Sequence, residues 1–335
     1  MKATLSGSKV LVTGGLGFIG HHLAESLIGA GAQVTIVDNC STSVIEPSRF
    51  QGRAKVLITD LRDTNVDSTF DWVCHLASPV GPTRVMWAAG DLAVEIVEDA
   101  KWLIDAFGGT DTRVVFVSSS EVYGHGGVGF EHDELTVRLP YSGRREYSCA
   151  KTLAEVMLHN AQRQRRFSVL TIRPFNVVGP SQSAEGGFVI PRFIKALAAG
   201  QPLTIYGDGT QRRCFTHVED VAEAMVALME ANASGLFNVA NPANEITIRG
   251  LAERFCLAAT HHFPECQPSM SFVDPEYLHG PLYEEAPDKI ADIEKLCACV
   301  EWRPSRTLAR ILQDVLDELA QALKKSRVVC NGAYR

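Results

Sequence analysis

Hydrophobic positions in the first half of the chain fall into two alternating patterns. Short continuous apolar runs, which predict buried strands, lie at 10–12, 34–37, 55–59, 71–77, 114–117 and 169–172. Stretches with apolar residues at the spacing of one helix face lie between them, at 21–30, 85–107 and 147–165. This alternation of strand and helix predicts an α/β protein built on a doubly wound parallel sheet.

The pattern loosens after residue 180, where proline and glycine interrupt shorter segments. Helices are predicted at 191–199, 218–230 and 307–324, and a strand at 236–240 is predicted to return to the sheet. We therefore expect a first domain over 1–179, to which 211–250 returns. A smaller C-terminal α/β substrate-binding domain is expected over 180–210 and 251–327, with a tail at 328–335.

A glycine-rich segment joins the first apolar run to the first helix. Gly14, Gly17 and Gly20 predict a tight turn that lets the backbone approach a ligand, and the helix after them would point free N–H groups at a pyrophosphate. The second apolar run ends at Asp38, a carboxylate placed to accept hydrogen bonds from an adenosine ribose. Strand, glycines, helix, strand and acid in this order predict a Rossmann-like dinucleotide site. Asn39 and Cys40 follow Asp38 without an arginine, which favours NAD over NADP.

Composition narrows the class of protein. The chain has 335 residues, 46% hydrophobic and 21% charged, with a net charge of −7, which fits a globular enzyme and argues against a nucleic-acid surface. No apolar stretch is long enough to cross a membrane, and residues 1–8 lack the hydrophobic region of a signal peptide, so we expect a cytoplasmic protein. The nine cysteines form no Cys-x-x-Cys pair and predict reduced, mostly buried thiols without a metal. The pairs His21-His22 and His261-His262 are expected at the surface or at helix ends.

Two segments carry candidate catalytic chemistry. Ser119 follows the fifth predicted strand, at the edge of the sheet where ligands bind in open parallel sheets. Tyr147 and Lys151 are four residues apart and so share one helix face. A tyrosine has a reference pKa of about 10, but a neighbouring lysine and a positive nicotinamide ring favour its phenolate. Tyr147 could then take a proton from a substrate hydroxyl, with Ser119 bonded to the same oxygen.

These motifs together resemble those of the extended short-chain dehydrogenases/reductases that modify nucleotide sugars. The matching segments span nearly the whole chain. They are Thr13-Gly-Gly-Leu-Gly-Phe-Ile-Gly20, Asp38, His75-Leu-Ala-Ser78, Ser118-Ser-Ser-Glu-Val-Tyr-Gly124, Tyr147-x-x-x-Lys151, Arg173-Pro-Phe-Asn176 and Gly209-Thr-Gln-Arg-Arg-Cys-Phe215.

The resemblance implies an NAD that stays bound and a UDP-sugar oxidised at C4. The expected cofactor-binding residues are Gly14, Gly17, Phe18, Ile19, Gly20, Asp38, Asn39, Asp60, Leu61, Leu76, Ala77, Tyr147 and Lys151. Asn176 and Arg213 are expected to hold the diphosphate, and Tyr206 is expected near the nucleoside. A homodimer packed through helices near 92–107 and 148–164 is also implied.

The residues after Ser119 differ between subfamilies. Ser120 and Glu121 resemble the pair found in UDP-glucuronate decarboxylases, which form UDP-xylose or a UDP-4-ketopentose, and Arg144 resembles an arginine of the second group. The 4,6-dehydratases carry an Asp-Glu pair there instead. The chain departs from the decarboxylase pattern at Lys289, where those enzymes carry an arginine, although lysine keeps the charge.

In a decarboxylase, CO₂ is lost from a 4-keto uronic acid, and this reaction suggests roles for Ser120, Glu121 and Arg144. Arg144 could hold the substrate carboxylate, and Glu121 with Ser120 or a water could handle the C5 proton. Lys289 is assigned to substrate binding. Three alternatives stay open: a 4-epimerase, a 4,6- or 5,6-dehydratase with Glu121 as base, and a non-catalytic NAD-sensing protein. The intact Ser119, Tyr147 and Lys151 argue against the last.

Overall fold

The computed structural model describes residues 4–64, 66, 69–78, 80–124, 128–131, 143–165, 167–279 and 286–332. Its strands are β1 (Lys9–Thr13), β2 (Gln33–Asp38), β3 (Lys55–Ile58), β4 (Trp72–His75), β5 (Arg113–Val117), β6 (Val128–Gly129), β7 (Ser168–Pro174), β8 (Val177–Val178), β9 (Leu203–Tyr206), β10 (Arg212–Cys214), β11 (Thr216–His217), β12 (Gly235–Val239), β13 (Glu245–Thr247), β14 (Met270–Val273) and β15 (Asp288–Ala291).

The α-helices are α1 (Phe18–Gly29), α2 (Pro82–Trp87), α3 (Leu92–Phe107), α4 (Gly143–Arg165), α5 (Val189–Ala198), α6 (Val218–Glu230), α7 (Ile248–His262), α8 (Pro275–His279), α9 (Glu294–Cys299) and α10 (Leu308–Gly332). Short 3₁₀ helices span Pro47–Phe50, Ser120–Tyr123, Ala184–Gly186 and Pro242–Asn244.

A seven-stranded parallel sheet forms the centre of the fold, in the order β12-β7-β5-β4-β1-β2-β3. Its inner strands β1, β4, β5 and β7 are buried on both faces because helices cover each side, which is why they read as continuous apolar runs, whereas the edge strand β3 is partly exposed. The strand order reverses beside β1, and the ends of β1, β4 and β5 meet there. The predicted doubly wound sheet is therefore confirmed, and the predicted strand at 236–240 is found as β12, beside β7.

The remaining strands lie outside this sheet. A four-stranded sheet has the order β13-β10-β15-β6, and two parallel pairs join β8 with β11 and β9 with β14. A second hydrophobic core packs α5, α7 and α10 around β9, with Phe193, Leu203 and Phe255 fully buried. The division of the chain at 179, 210 and 250 stays a prediction.

Several local expectations are wrong. The predicted helix over 85–107 is two helices, because the chain turns between α2 and α3 and Gly90 adopts a φ of +105°. Of the cysteines whose side chains are described, Cys74 and Cys214 alone are buried, so the thiols are not mostly buried. His21 is also buried, at 2% exposure, and not a surface residue. Helix α10 continues to Gly332, through most of the segment expected to be a tail, while 333–335 lie outside the described residues.

None of the described helices is long and apolar enough to span a membrane.

Candidate active site

The glycine turn after β1 is shaped by close backbone contacts. Gly14 has a φ of +68°, and a Cβ there would lie 2.7 Å from the backbone nitrogen of Ala77. A Cβ on Gly20 would lie 2.0 Å from the Gly14 carbonyl oxygen, so no other residue fits without moving the backbone. Gly17 caps α1 with no side-chain hydrogen bond, and the first turn of α1 holds no acidic residue. Phe18, Ile19 and Gly20 therefore offer uncapped N–H groups to an anion.

Asp38 ties the turn to the end of β2. Its carboxylate accepts hydrogen bonds from the Leu16 N–H at 2.9 Å, the Cys40 N–H at 2.8 Å and the Ser43 hydroxyl at 3.1 Å. The Asp38 carboxylate is 8% exposed and sits at the sheet edge beside the turn. The buried hydroxyls of Ser78 and Ser118, after β4 and β5, have no hydrogen-bond partner among the described residues. A bare helix end, a carboxylate and two orphaned hydroxyls along one sheet edge fit a dinucleotide.

The other expected cofactor residues lie along the same edge. The Asn39 amide donates to Asp60 at 3.3 Å, and the Ala77 N–H donates to the Thr13 hydroxyl at 3.4 Å. Leu76 packs partly buried against the core that includes α1. Leu61 is 6% exposed and packs in the core on the opposite face of the sheet.

Ser119, Tyr147 and Lys151 are brought together as predicted. Ser119 lies just after β5, and its hydroxyl is hydrogen-bonded to the buried hydroxyl of Tyr147 on α4. The Lys151 ammonium lies one turn further along α4, donates to the Val117 carbonyl at 3.0 Å, and is 5.9 Å from the centre of the Tyr147 ring. Burial raises the pKa of the Tyr147 hydroxyl well above its usual range, although the Ser119 hydrogen bond opposes that effect. Tyr147 therefore needs nearby positive charge to ionise.

Glu121 lies between two cations. The Arg144 guanidinium donates to Glu121 at 3.1 Å, and the Lys289 ammonium, only 7% exposed, donates to the same carboxylate oxygen. Burial acts to raise the pKa of the Glu121 carboxyl, but Arg144 and Lys289 outweigh burial and hold this pKa well below its usual range. Glu121 is therefore a carboxylate at any ordinary working pH. Ser120, 8% exposed, precedes it in the same 3₁₀ helix.

A third cation adds to this cluster. Arg213 on β10 pairs in register with Lys289 on β15, and its guanidinium donates to the carbonyls of Arg212, Ala286 and Pro287. Burial, together with Arg144 and Arg213, lowers the pKa of Lys289 to about 8 against the opposing effect of Glu121. We name Glu121, Arg144, Arg213 and Lys289 the cation cluster. Three cationic side chains thus lie around the Glu121 carboxylate, and such groups are the ones that bind carboxylates and phosphates.

The two remaining substrate candidates lie in different surroundings. Asn176 has a φ of +38° and donates its side-chain amide to the Cys214 carbonyl at 3.1 Å, which places it beside β10. Tyr206 lies at the end of β9, where the Arg192 guanidinium stacks 4.0 Å from the centre of its ring. The structure therefore brings Asn176 near the strand that carries Arg213, and places Tyr206 in the second core region.

Sequence reasoning missed Arg192 and Asp99. Two nitrogens of Arg192, Nε and Nη1, are buried and have no hydrogen-bond partner among the described residues. Asp99 is 9% exposed and lies on the buried face of α3 between Ile96 and Leu103. A signal for Asp99 was available, because a carboxylate on the apolar stripe of a helix breaks the pattern that predicts the helix.

Comparison with known proteins agrees with this fold. The model of the NAD dependent epimerase/dehydratase family matches residues 10–240, so the chain belongs to that family. NAD is therefore the cofactor of this nucleotide-sugar enzyme class, and the dinucleotide site predicted from the glycine turn is in accord with it.

Two relatives at the level of sequence are decarboxylases. UDP-N-acetyl-α-D-glucosaminuronate decarboxylase of Bacillus cytotoxicus is 31% identical over 92% of this chain and 96% of its own length. UDP-glucuronic acid decarboxylase 1 of Arabidopsis thaliana is 32% identical over 73% of this chain, which spans only 57% of that longer relative.

Two solved structures with the same fold are UDP-sugar 4-epimerases. UDP-N-acetylglucosamine 4-epimerase from Methanobrevibacter ruminantium, in complex with UDP-N-acetylmuramic acid, superposes with a TM-score of 0.80 at 26% identity, covering 95% of this chain and 99% of its own. UDP-glucuronic acid 4-epimerase from Bacillus cereus, in complex with UDP-glucuronic acid and NAD, has a TM-score of 0.78 over 94% of this chain and 99% of its own. At 24% identity, the second shares the fold alone.

Proposed function

We propose that this chain is an NAD-dependent decarboxylase of a UDP-linked hexuronic acid, with UDP-glucuronate as the first candidate. The observation that carries the proposal is the gathering of three cationic side chains around Glu121, where Arg144 and Lys289 donate to one carboxylate oxygen and Arg213 lies in register with Lys289. A uronic acid linked to a diphosphate carries negative charge on both sides of the sugar. Such a substrate offers a carboxylate to these cations, whereas a neutral hexose offers them none.

The proposed reaction begins with oxidation at C4 of the sugar, for which bound NAD supplies the hydride acceptor. Tyr147 takes the proton of the C4 hydroxyl, and Ser119 donates a hydrogen bond to the same oxygen. Lys151 supplies the positive charge that Tyr147 needs to ionise. In the resulting β-keto acid the C5–C6 bond breaks, CO₂ leaves, and the electron pair moves onto the C4 oxygen. C5 then takes one proton from Ser120 or from a water beside it. Return to C4 of the hydride removed in the first step, with the Tyr147 proton going to the C4 oxygen, would give the pentose.

Glu121 receives a different role from the one that its sequence position predicts. Because Arg144 and Lys289 hold its pKa low, Glu121 has no proton to donate to C5 in this arrangement. We infer that Glu121 holds the two cations in place, and that the C5 proton comes from Ser120 or from a water beside it. Asn176 and Arg213 remain our candidates for the diphosphate, and Tyr206 for the nucleoside.

A UDP-sugar 4-epimerase is the second candidate. The observation in its favour is the fold shared with UDP-N-acetylglucosamine 4-epimerase at 26% identity. An epimerase on a uronic acid would use the same Tyr147 and Lys151, but its substrate would keep the carboxylate. The 4-keto sugar would rotate in the site, so that the hydride returns to its opposite face. The decarboxylase is preferred because the relatives with the higher sequence identity act on UDP-uronic acids as decarboxylases.

Product analysis separates these candidates. The purified protein is incubated with NAD and, in parallel, UDP-glucuronate, UDP-N-acetylglucosaminuronate or UDP-glucose, and sugar mass and CO₂ are followed. Loss of the carboxyl mass from a uronic acid establishes the decarboxylase and identifies its substrate. A uronic acid of unchanged mass with an altered C4 proton resonance establishes the epimerase instead. If only UDP-glucose is converted, the cation cluster does not select the substrate.

An Arg144→Gln variant tests the role of the cation cluster in substrate choice. Loss of the guanidinium should raise the KM for the uronic acid by roughly tenfold or more, since a charge-assisted pair is lost, and should leave binding of UDP-glucose nearly unchanged. Arg49→Gln is the matched control, because Arg49 is exposed and pairs with Glu25 away from the cation cluster. Equal losses for both sugars in Arg144→Gln would contradict a carboxylate-binding role.

We also propose that the chain forms a homodimer through α3 and α4. These helices pack together, and each leaves large apolar side chains exposed: Val94 on α3 is 54% exposed, and Leu153 and Val156 on α4 are 48% and 51% exposed. Burial of these side chains between two copies would remove them from water. Light scattering should give twice the chain mass, and Val156→Glu should return the protein to a monomer; a monomeric wild type would rule this out.

A further inference from the structure

Asp99 is a buried carboxylate to which no described residue donates a hydrogen bond. It lies on α3 with its side chain 12% exposed, and within the described part of the chain no group donates to either oxygen at hydrogen-bond distance. Its nearest charged or titratable neighbours stand 4.0 Å away: Arg62 Nε on one side and His75 Nε2 on the other. Buried carboxylates usually accept hydrogen bonds or form close ion pairs. A buried carboxylate beside an active site with neither among the described residues is a candidate for a functional role.

A short path of side chains connects Asp99 to Lys151. The His75 ring, 2% exposed, faces Asp99 with Nε2 and approaches the Thr13 hydroxyl with Nδ1 at 2.9 Å. The same ring stacks parallel to Phe116, with ring centres 5.9 Å apart. The Lys151 ammonium lies 5.0 Å from the centre of that Phe116 ring. The buried rings of His75 and Phe116 thus lie next to both Asp99 and Lys151, and an attraction through such surroundings is screened less than one through bulk water.

Lys151 has few anions near it. Burial lowers the pKa of its ammonium to about 8, and Asp99 and Glu155 act against burial. Glu155 is already bound by Arg173 through two hydrogen bonds, at 3.0 and 2.5 Å, so its charge is largely balanced. Asp99 has no such partner. Burial also raises the pKa of Asp99 to about 7, against Arg62 and Lys151, so Asp99 becomes an anion just below the pH range in which Lys151 would lose its proton.

We propose that Asp99 is a positioning residue that keeps the Lys151 ammonium charged, and through it supports Tyr147 as the base. The inference rests on the proposed roles of Tyr147 and Lys151. Other charged or titratable groups face this pair from the neighbouring elements, and they are Asp60 and Arg62 after β3, His75 on β4, Glu95 on α3, Tyr147 and Glu155 on α4, and Arg173 on β7. His75 is neutral, since burial lowers its pKa to about 3, so Asp99 supplies the counter-charge.

The first experiment compares pH profiles of C4 oxidation, followed as NADH absorbance in a single turnover. Asp99→Asn keeps the shape of the side chain and removes its charge. The fall in rate at high pH, where Lys151 loses its proton, should therefore begin about one pH unit lower than in the wild type. The rate near pH 6.5 should stay within about twofold of the wild-type rate. Asp99→Glu should restore the wild-type limb. Glu98→Gln is the matched control, since the neighbouring Glu98 is 53% exposed and pairs with Arg62.

The second experiment needs no substrate and follows Lys151 directly. The protein is labelled with ¹³C-lysine, the Lys151 ε-carbon resonance is assigned from its loss in Lys151→Met, and its titration is compared between wild type, Asp99→Asn and Asp99→Ser. A lower titration midpoint in both uncharged variants supports the proposal even if the enzyme acts on a different sugar. An unchanged midpoint in either folded variant overturns it, whatever the activity assay shows.

Discussion

Glu121→Gln is the most informative single change to this site, because it removes one negative charge and almost no volume. In the wild type, the carboxylate accepts hydrogen bonds from Arg144 and Lys289 and balances part of the charge of the cation cluster. The variant leaves both cations buried beside a neutral amide. Arg213 adds to the repulsion from β10, the strand that pairs with the strand of Lys289.

The expected loss of stability follows from burial. Removing one partner of a buried ion pair costs about 3–5 kcal/mol, and exposed pairs contribute about 1 kcal/mol or less. Since the Glu121 side chain is 26% exposed and that of Lys289 is 7% exposed, we expect a loss of roughly 2–3 kcal/mol in the free energy of unfolding. For a chain of 335 residues, that loss corresponds to a fall in Tm of roughly 3–4 °C.

The pH dependence of this loss has a defined sign. The pKa of Glu121 is lower in the folded protein than its ordinary value of 4.5, so its ion pairs stabilise the fold fully above that ordinary value. The stabilisation is lost as the pH falls below it, toward the lower pKa of the folded state. The difference in the free energy of unfolding between wild type and Glu121→Gln should therefore be constant from about pH 6 to 7 and shrink below about pH 5.

Urea unfolding of the free protein at several pH values measures this difference in the free energy of unfolding. Glu245→Gln is the matched control, because Glu245 pairs with Arg212 in the same four-stranded sheet but both side chains are over a third exposed. The control should lose about 1 kcal/mol or less. A Glu121→Gln variant as stable as the wild type at pH 7 would mean that Glu121 does not balance the cluster. If the difference in stability is as large at pH 4 as at pH 7, the predicted direction of the pH dependence is wrong.

Two further changes test the base and the glycine turn. Tyr147→Phe should lower kcat by about a thousandfold or more and leave NAD affinity within a few fold, since it removes the proton acceptor and keeps the ring; wild-type turnover in the variant would exclude Tyr147 as the base. Gly20→Ala should abolish NAD binding or folding, because its Cβ would lie 2.0 Å from the Gly14 carbonyl oxygen. Isothermal titration with NAD measures the loss of binding. Gly29→Ala is the control and should bind NAD normally, because its Cβ would meet nothing within 4 Å.

Elements whose pattern is local were predicted well from the sequence. The glycine turn, its two flanking strands and the acid after β2 lie within one βαβ unit, so their order along the chain already defines the site. Tyr147 and Lys151 share a helix turn for the same reason. The break between α2 and α3 escaped the prediction because Val85 and Leu92 both face the core, and the apolar spacing therefore runs across the turn without interruption.

Contacts between distant segments could not be predicted in this way. Lys289 reaches Glu121 across 168 residues of sequence, because β15 pairs with both β6 and β10 in a sheet whose strands are only two to four residues long. Strands that short carry almost no periodic signal. From the sequence, Lys289 looked like a departure from an arginine pattern, whereas the structure makes it the second cation bound to Glu121.

Competition for the two cations bears on the choice between decarboxylase and epimerase. A cation bound tightly to the substrate carboxylate stabilises the ground state, and CO₂ leaves without that charge, so such binding slows decarboxylation. Glu121 competes for Arg144 and Lys289 and would keep this stabilisation weak. In a decarboxylase, Glu121→Gln should then lower the KM for the uronic acid and lower kcat with it, which is the signature of tighter ground-state binding. In an epimerase the carboxylate stays on the sugar throughout, so the same variant should lower KM with kcat unchanged, and a raised KM would show that Glu121 does not compete with the substrate at all.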